Sequence, residues 1–150
     1  MTEITNMKKY ENYKEQMGRL KRALSSHFYL EAIFIEYAIL EDRLESALRH
    51  AGRWNPKPDA HISIDRKITL VEKMAEQKRS LAQKYFSLEL TQGIRDWKER
   101  RNKMIHALLK QSIHSEDLLD IAENGQELVK ILCSKTTSFN RAIEKQKKEI

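Results

Sequence analysis

The residues whose types and spacing could do chemistry are Arg101, Asn102 and His106. A histidine side chain titrates near neutral pH and therefore suits proton transfer. An arginine side chain stays charged and grips phosphate oxygens through its planar fork of N–H donors. An asparagine amide can orient an imidazole or a phosphate oxygen, and the neighbouring cations Arg100 and Lys103 add attraction for phosphate without sequence specificity. These residue types are suited to binding a phosphate group and to moving a proton.

The spacing of these residues limits how they can act together on a helix. Asn102 and His106 are four positions apart and share one helix face. Arg101 and His106 are five positions apart, which is about 140° around an ideal helix and about 7.5 Å along it. Arg101 and His106 therefore converge only through the length of the arginine, a local distortion of the helix, or a second copy of the chain across a dimer axis.

Arg101 occupies a position that otherwise belongs to apolar side chains. The helical stripe consists of Ile94, Trp97, Arg101, Met104 and Leu108. A guanidinium on a core-facing stripe is costly unless it is paired or lines a polar cleft. If this stripe faces a subunit interface, we expect Arg101 to open into a basic groove there, near its symmetry mate.

Glu36 is a second charged residue in apolar surroundings, because it lies inside the most apolar run of the chain. An unpaired carboxylate in such a place is costly. Two interpretations stay open at this point. Glu36 is either an acidic partner of Arg101 or of the symmetry mate of Arg101, or it is an ordinary surface carboxylate.

The segment from Trp97 to His106 resembles the signature of the HEPN superfamily. The shared features are an arginine followed by a polar residue, a histidine a few positions later, a tryptophan before the arginine and an aliphatic run at residues 107–109. Residues 36–44 also look like the long early helix of such proteins. The resemblance spans most of the chain, but only the motif residues are diagnostic.

This resemblance implies a metal-independent endoribonuclease that works as a homodimer and needs no cofactor. It makes Arg101 and His106 catalytic and Asn102 a supporting residue, with Arg100 and Lys103 as RNA-binding neighbours. Attack by the RNA 2′-hydroxyl needs one proton removed, one delivered to the leaving 5′-oxygen and positive charge on the phosphorane; the expected products end in 2′,3′-cyclic phosphate. The resemblance also implies that the protein is a toxin or a phage-defence effector. Its implied partner is an antitoxin or a nucleotidyltransferase.

Composition predicts a single all-α domain over residues 1–150. Four Gly and two Pro make turn formers scarce, and 40 % hydrophobic residues suffice for a core. The net charge of +6 suits a protein that meets phosphate. The single Cys133 excludes an intramolecular disulfide framework and a cysteine-based zinc site. No apolar run approaches the ~20 residues that span a bilayer, so a cytoplasmic protein without membrane contact is expected.

Hydrophobic periodicity predicts four main helices and one shorter helix. The resemblance to HEPN proteins implies that they form an up-and-down bundle. The predicted helices cover about residues 6–23, 26–51, 63–77, 80–110 and 115–144. Gly93 is a candidate break that would place the motif on its own helix from about Thr91. Ser25 and Ser26 are predicted cap residues before the second helix, and Ser115 is a predicted cap of the last helix. Gly52 is a predicted helix stop, and the lysine-rich end is a predicted fraying tail.

The second predicted helix indicates homodimerisation. From Phe28 to Leu40 it is apolar on nearly every side. A helix of this kind must be buried on every side. Four helices can bury part of its surface, and a partner subunit could bury the rest.

Less specific interpretations of the motif stay open beside the enzymatic one. His106 could cap or snorkel near a helix end, with Arg101 in a surface ion pair to Asp96 or Glu99. The protein would then be a catalytically silent HEPN-like helical dimer that binds RNA, a nucleotide or a partner protein. A helical scaffold with an incidental motif is the third interpretation.

Overall fold

The computed structural model describes residues 6–57 and 60–149 of the chain. These residues form six α-helices and no strand, which confirms the all-α prediction. The helices are α1 (Asn6–Ser25), α2 (Tyr29–His50), α3 (Ile64–Glu76), α4 (Leu81–Tyr85), α5 (Leu88–Ala107) and α6 (Ser115–Lys148). None of the described helices combines the length and the apolar character that a bilayer span requires.

The helix α2 lies at the centre of the bundle. It packs against α1, α3, α5 and α6, and α6 is its most extensive neighbour. The side chains of Leu40, Leu44 and Leu48 repeat at helical spacing and are fully buried, in one core cluster with Val129 and Leu132 of α6. Each such leucine contributes roughly 1.5–3 kcal/mol by leaving water. The motif helix α5 packs mainly against α6 and α3, and less extensively against α2.

The turn between α1 and α2 differs from the prediction, which placed a cap at Ser26. His27 has a φ of 62°, in the left-handed region. The Phe28 N–H donates to the Ala23 carbonyl at 2.8 Å, which is a common way for a helix to end. Phe28 then precedes α2 without a side-chain cap. The way in which α1 ends, rather than a serine cap, therefore shapes this turn.

Two other predicted helix ends are confirmed. Gly52 has a φ of 71°, and the Arg53 N–H donates to the Leu48 carbonyl at 2.8 Å, which ends α2. Ser63 precedes α3, and its hydroxyl oxygen accepts the Arg66 N–H at 3.2 Å. This bond satisfies one of the free donors at the start of the helix.

The predicted helix over residues 80–110 is two helices, and the break is not at Gly93. The chain leaves the helix at Phe86 and Ser87, and the Ser87 hydroxyl oxygen accepts the Leu90 N–H at 3.1 Å. Phe86 is buried, with its ring centroid 5.1 Å from that of Phe139. Gly93 lies inside α5. The motif consequently lies on its own helix, which begins a few residues earlier than predicted.

The last helix extends beyond its predicted end at Glu144. It starts at Ser115, but His114 occupies the cap position, with no side-chain bond to the backbone. Near its other end, Lys147 donates to the His50 carbonyl at 3.0 Å. A cation is favourable at that C-terminal end of α2. The lysine-rich end is therefore helical through residue 148 and does not form the predicted fraying tail.

Candidate functional site

The helix α5 turns its apolar stripe toward the core, as predicted. Ile94, Trp97 and Met104 are buried, and Arg101 on the same stripe is half-buried. The indole N–H of Trp97 donates to the Ile121 carbonyl of α6 at 2.9 Å. A buried indole needs such a partner, because an unmade bond there costs free energy. This contact and the stripe fix the rotation of α5, and with it the position of the motif.

Ion pairs hold α5 against α3. Lys98 is buried, and its ammonium donates to the Asp65 carboxylate at 2.7 Å. Arg95 donates to both oxygens of Glu72, at 2.8 and 3.0 Å. These hydrogen bonds from Arg95 lower the pKa of Glu72 below its ordinary value. Paired charges of this kind set the register of two helices as well as their distance.

The Arg101 guanidinium lies against α2. Its central carbon is 4.0 Å from the centroid of the Tyr37 ring, within the range of a cation–π contact. Its Nη1 donates to the Asn102 Oδ1 at 2.9 Å. Its Nε is buried and has no hydrogen-bond partner in the described part of the chain. Arg101 is thus held from two sides and still has N–H donors without acceptors.

His106 is exposed on α5 and is not joined to Arg101. No hydrogen bond or ion pair links His106 to Arg101 or Asn102 within residues 6–57 and 60–149. The helix α5 is α-helical throughout this stretch, so five positions separate Arg101 and His106 by about 140°. Neither the length of the arginine nor a distorted helix brings the two side chains together in one chain. A second copy of the chain stays the predicted route.

The two flanking cations differ in their surroundings. Arg100 donates to the Asp120 carboxylate at 2.8 Å, in an exposed ion pair. Exposed pairs contribute about 0–1 kcal/mol, so Arg100 can exchange this partner for a phosphate at small cost. Lys103 is exposed on the same helix. Both residues can reach an anion at the surface, and their RNA-binding role stays a prediction.

The surface ion pairs considered for Arg101 are not formed. Asp96 instead accepts the amide of Gln92 at 2.9 Å, and Glu99 accepts the ammonium of Lys98 at 2.6 Å. That interpretation of Arg101 as a solvated surface cation is therefore wrong in the single chain. Both acids have nearer partners on α5, and Arg101 faces α2.

Glu36 is fully buried, so the interpretation as an ordinary surface carboxylate is wrong. Neither of its carboxyl oxygens has a hydrogen-bond partner among the described residues, so it does not pair with Arg101 within the chain. Burial raises the pKa of Glu36 to about 9. The carboxyl group is consequently protonated at neutral pH. Pairing with the symmetry mate of Arg101 stays a prediction.

Gly125 of α6 provides the space that the Glu36 carboxyl occupies. A Cβ atom at position 125 would lie 2.7 Å from the carboxyl carbon of Glu36 and 2.9 Å from a ring carbon of Trp97. Both distances are far below ordinary contact. Gly125 was not among the residues predicted from the sequence, although a glycine inside a helical pattern is a signal of close packing. Three helices therefore approach each other at Glu36, Trp97 and Gly125.

We expect Gly125→Ala to lower the free energy of unfolding by about 2 kcal/mol, because the new methyl group collides with Glu36. The loss outweighs the higher helix propensity of alanine, which is worth about 1 kcal/mol. Urea unfolding followed by circular dichroism measures it. Gly93→Ala is the matched control, since a Cβ there lies 3.5 Å from Leu128, an ordinary contact. Equal destabilisation by both substitutions would contradict the close approach at Glu36.

Outside the motif, the described residues include a half-buried thiol but no cluster that could hold a metal ion. Cys133 is free and half-buried, and its sulfur accepts the hydroxyl of Tyr13 at 2.6 Å. Burial raises the pKa of the Cys133 thiol, which keeps it protonated and unreactive. The described residues contain no group of three or more His, Cys, Asp or Glu placed to hold a metal ion.

Tyr37, whose ring contacts the Arg101 guanidinium, is a further candidate site residue that was not predicted from the sequence. Its position inside the apolar run from Phe28 to Leu40 makes it look like an ordinary core aromatic. The available signal was indirect, because a guanidinium at Arg101 on an apolar stripe needs a partner that tolerates both charge and apolar surroundings. An aromatic ring face meets that need.

Comparison with protein-family models, with curated proteins and with solved structures finds no match for this chain. The resemblance to the HEPN superfamily is therefore carried by its own residues, above all those from Trp97 to His106. It stays a prediction about family and activity.

Proposed function

We propose that this protein is a metal-independent endoribonuclease of the HEPN type, with Arg101 and His106 as catalytic residues and Asn102 in support. The observation that carries the proposal is the state of Arg101. Its half-buried guanidinium is held by Tyr37 and Asn102, and its buried Nε has no acceptor among the described residues. A charged group with unused donors is costly in such a place. Nη2 also makes no hydrogen bond to a described residue, and a phosphate group would supply its acceptor.

Asn102 supports the proposal because it belongs to both halves of the site. Its amide oxygen accepts from Arg101 at 2.9 Å. Its side chain lies on the same face of α5 as His106, one turn away. The amide N–H groups of Asn102 make no hydrogen bond to a described residue, so they are free to hold an RNA oxygen on the face of α5 that carries His106.

The proposed reaction needs one proton carrier and one fixed positive charge. The neutral imidazole of His106 takes the proton of the RNA 2′-hydroxyl, whose oxygen attacks the adjacent phosphorus. Arg101 of the partner copy neutralises the charge that develops on the phosphorane oxygens. The P–O5′ bond then breaks, and His106 returns the proton to the leaving 5′-oxygen. The products are a 2′,3′-cyclic phosphate and a 5′-hydroxyl.

Homodimerisation is part of the proposal because one chain does not bring Arg101 and His106 together. It is supported by apolar side chains that stay exposed beside the motif. Those sharing a helix face with Tyr37 on α2 or with Arg101 on α5 are Leu30, Phe34, Ile105 and Leu108. Phe34 alone is 70 % exposed. Large apolar side chains that stay exposed on these two helix faces make them a candidate interaction surface.

We expect the protein to have twice the mass of one chain in solution, and Phe34→Asp to make it a monomer. Size-exclusion chromatography with light scattering at several concentrations measures both. Leu88→Asp is the matched control, because Leu88 is 72 % exposed but lies about 20 Å along α5 from Arg101. A wild-type protein that stays monomeric would contradict a composite site, that is, a site formed by His106 of one copy and Arg101 of the other.

The activity itself is tested by incubating mixed cellular RNA with the protein in excess EDTA. We expect cleavage and products that end in 2′,3′-cyclic phosphate, as identified by mass spectrometry of an oligonucleotide substrate. His106→Ala, purified in the same way, shows whether a contaminating nuclease is responsible. Intact RNA after incubation with pure dimeric wild type would count against the enzyme.

A second candidate function is a catalytically silent HEPN-like dimer that binds RNA, a nucleotide or a partner protein. The separation of Arg101 and His106 in the single chain favours it. In that case the motif variants still bind RNA, with a steep dependence on salt, because the binding comes from phosphate contacts. The role as a toxin or phage-defence effector and the antitoxin or nucleotidyltransferase partner are proposed on the resemblance alone, and the cytoplasmic location stays an expectation from the sequence.

A further inference from the structure

The closest cation–π contact in the described residues is at the motif. The guanidinium carbon of Arg101 is 4.0 Å from the Tyr37 ring centroid, and the other contacts of this kind measure 5.2–5.9 Å. At 4.0 Å the guanidinium touches the ring face. Such a contact restricts the side-chain rotamers of Arg101, whereas a cation at 5.5 Å or more keeps some freedom.

The ring that holds Arg101 is a neutral phenol. Burial raises the pKa of Tyr37, Glu41 raises it further, and Arg101 and Lys98 lower it, with a smaller upward effect of Asp65. Because the net shift is upward, the hydroxyl stays protonated at physiological pH. The ring face, and not a phenolate charge, is therefore what attracts the guanidinium.

Two contacts determine which part of the guanidinium is left for a ligand. Tyr37 covers one face, and Asn102 accepts from Nη1 at 2.9 Å. Nε is buried without an acceptor, and Nη2 makes no hydrogen bond to a described residue. Because Nε is buried, the Nη2 N–H groups at this edge of the guanidinium are the donors that a phosphate oxygen can approach.

We propose that Tyr37 is a positioning residue that holds Arg101 in the orientation in which it binds an RNA phosphate. The inference rests on the proposed function, because it assigns Arg101 to phosphate. A free arginine side chain loses rotamer freedom when it binds a ligand. A guanidinium already fixed by Tyr37 avoids most of that loss, so it binds more tightly. Tyr37 acts through Arg101 and needs no contact with RNA.

The test measures the affinity for a fully 2′-O-methylated RNA oligonucleotide, which offers phosphates but cannot react through its 2′-oxygen. Tyr37→Phe keeps the ring, so we expect an affinity within about twofold of wild type. Tyr37→Leu removes the ring and keeps apolar bulk, so we expect binding about five- to tenfold weaker. Tyr10→Leu is the matched control, because Tyr10 is an exposed tyrosine on α1. It is expected to bind like wild type.

Coupling to Arg101 distinguishes positioning from a general structural effect. In an Arg101→Ala background we expect Tyr37→Leu to cause no further loss of affinity. The NMR signal of the Arg101 Nε–H gives a second readout that needs no RNA. We expect it to exchange slowly with water in wild type and Tyr37→Phe, and rapidly in Tyr37→Leu. Arg101→Lys assigns the signal by removing it.

Equal affinity of wild type and Tyr37→Leu would overturn the inference, as would a loss that persists in the Arg101→Ala background. A wild type that does not bind the oligonucleotide overturns it too. Cleavage of unmodified RNA separates the two proposals. If the binding pattern appears without cleavage, the ribonuclease fails and the role of Tyr37 stands. If RNA is cleaved and Tyr37→Leu binds normally, the ribonuclease stands and the role of Tyr37 fails.

Discussion

His106→Ala is expected to lower the rate of RNA cleavage at least about 100-fold, because it removes the group that moves both protons. Arg101→Ala is expected to lower it by a similar factor, because it removes the charge that stabilises the phosphorane. Initial rates on one defined oligonucleotide, in excess EDTA, measure both losses. Since His106 is exposed, its replacement should leave the urea unfolding curve unchanged. Loss of activity in His106→Ala is then a chemical effect and not a loss of fold.

The flanking cations provide the matched controls for this result. Lys103→Ala and Arg100→Ala each remove one charge near the motif but no catalytic group. We expect either variant to weaken RNA binding and to reduce the slope of log affinity against log salt by about 1. The maximal cleavage rate should change by less than about threefold. If Lys103→Ala abolished cleavage as fully as His106→Ala, the assignment of catalysis to Arg101 and His106 would be wrong.

Mixing Arg101→Ala with His106→Ala tests whether the two residues act together across the dimer interface. In a mixed dimer of Arg101→Ala and His106→Ala, one site keeps both groups if Arg101 acts across the interface. If Arg101 and His106 act within one chain, neither site of the mixed dimer keeps both groups. Random pairing yields mixed dimers as half of the population, so the mixture should recover about one quarter of wild-type activity. No recovery in a mixture that has exchanged subunits would contradict catalysis across the interface.

The faces of the helices could be predicted from the sequence, because the apolar period fixes them. Ile94, Trp97 and Met104 are buried as expected. Arg101 lies on the same face of α5 and is half-buried. The break at Ser87 could not be predicted from the same pattern. The apolar period does not mark the break, at which Phe86 is buried and the Ser87 hydroxyl accepts the Leu90 N–H.

The neighbours of the motif could not be predicted, because periodicity gives the face of one helix and not its rotation against another. Tyr37 and Arg101 belong to helices that are far apart in sequence, and α3 and α4 lie between them along the chain. The same limit applies to Glu36. Its apolar neighbours in sequence indicated a costly carboxylate, but the glycine that makes room for it lies on α6.

The protein is expected to lose stability as the pH rises from 5 to 9, because of Glu36. Burial raises the pKa of Glu36 from 4.5 to about 9 in the folded chain. Between these two values the folded state keeps a proton that the unfolded state releases. The free energy of unfolding therefore falls by up to about 1.4 kcal/mol for each pH unit in this window. The stabilisation by the protonated Glu36 is fully present below pH 4.5. It is lost by the time the pH has risen through the folded-state pKa of about 9.

Glu36→Gln is the matched control, because glutamine keeps the shape of the neutral carboxyl group and does not titrate. The difference between the unfolding free energies of wild type and Glu36→Gln, measured by urea at each pH, isolates Glu36 from every other group. The Glu72–Arg95 ion pair has the opposite sign. The pKa of Glu72 is lowered, so its contribution is lost only as the pH falls below the ordinary carboxyl range. It does not overlap the window of Glu36.

Parallel pH curves for wild type and Glu36→Gln would show that Glu36 is not a neutral, unpaired group in solution. A cation would then have to hold its carboxylate, since burial alone raises the pKa. The symmetry mate of Arg101 is the predicted cation, and its effect depends on dimerisation. The same titration on the Phe34→Asp monomer distinguishes the cases, because only pairing across an interface makes the pH dependence reappear when the dimer is lost. A pH dependence present in both forms assigns Glu36 to the interior of one chain.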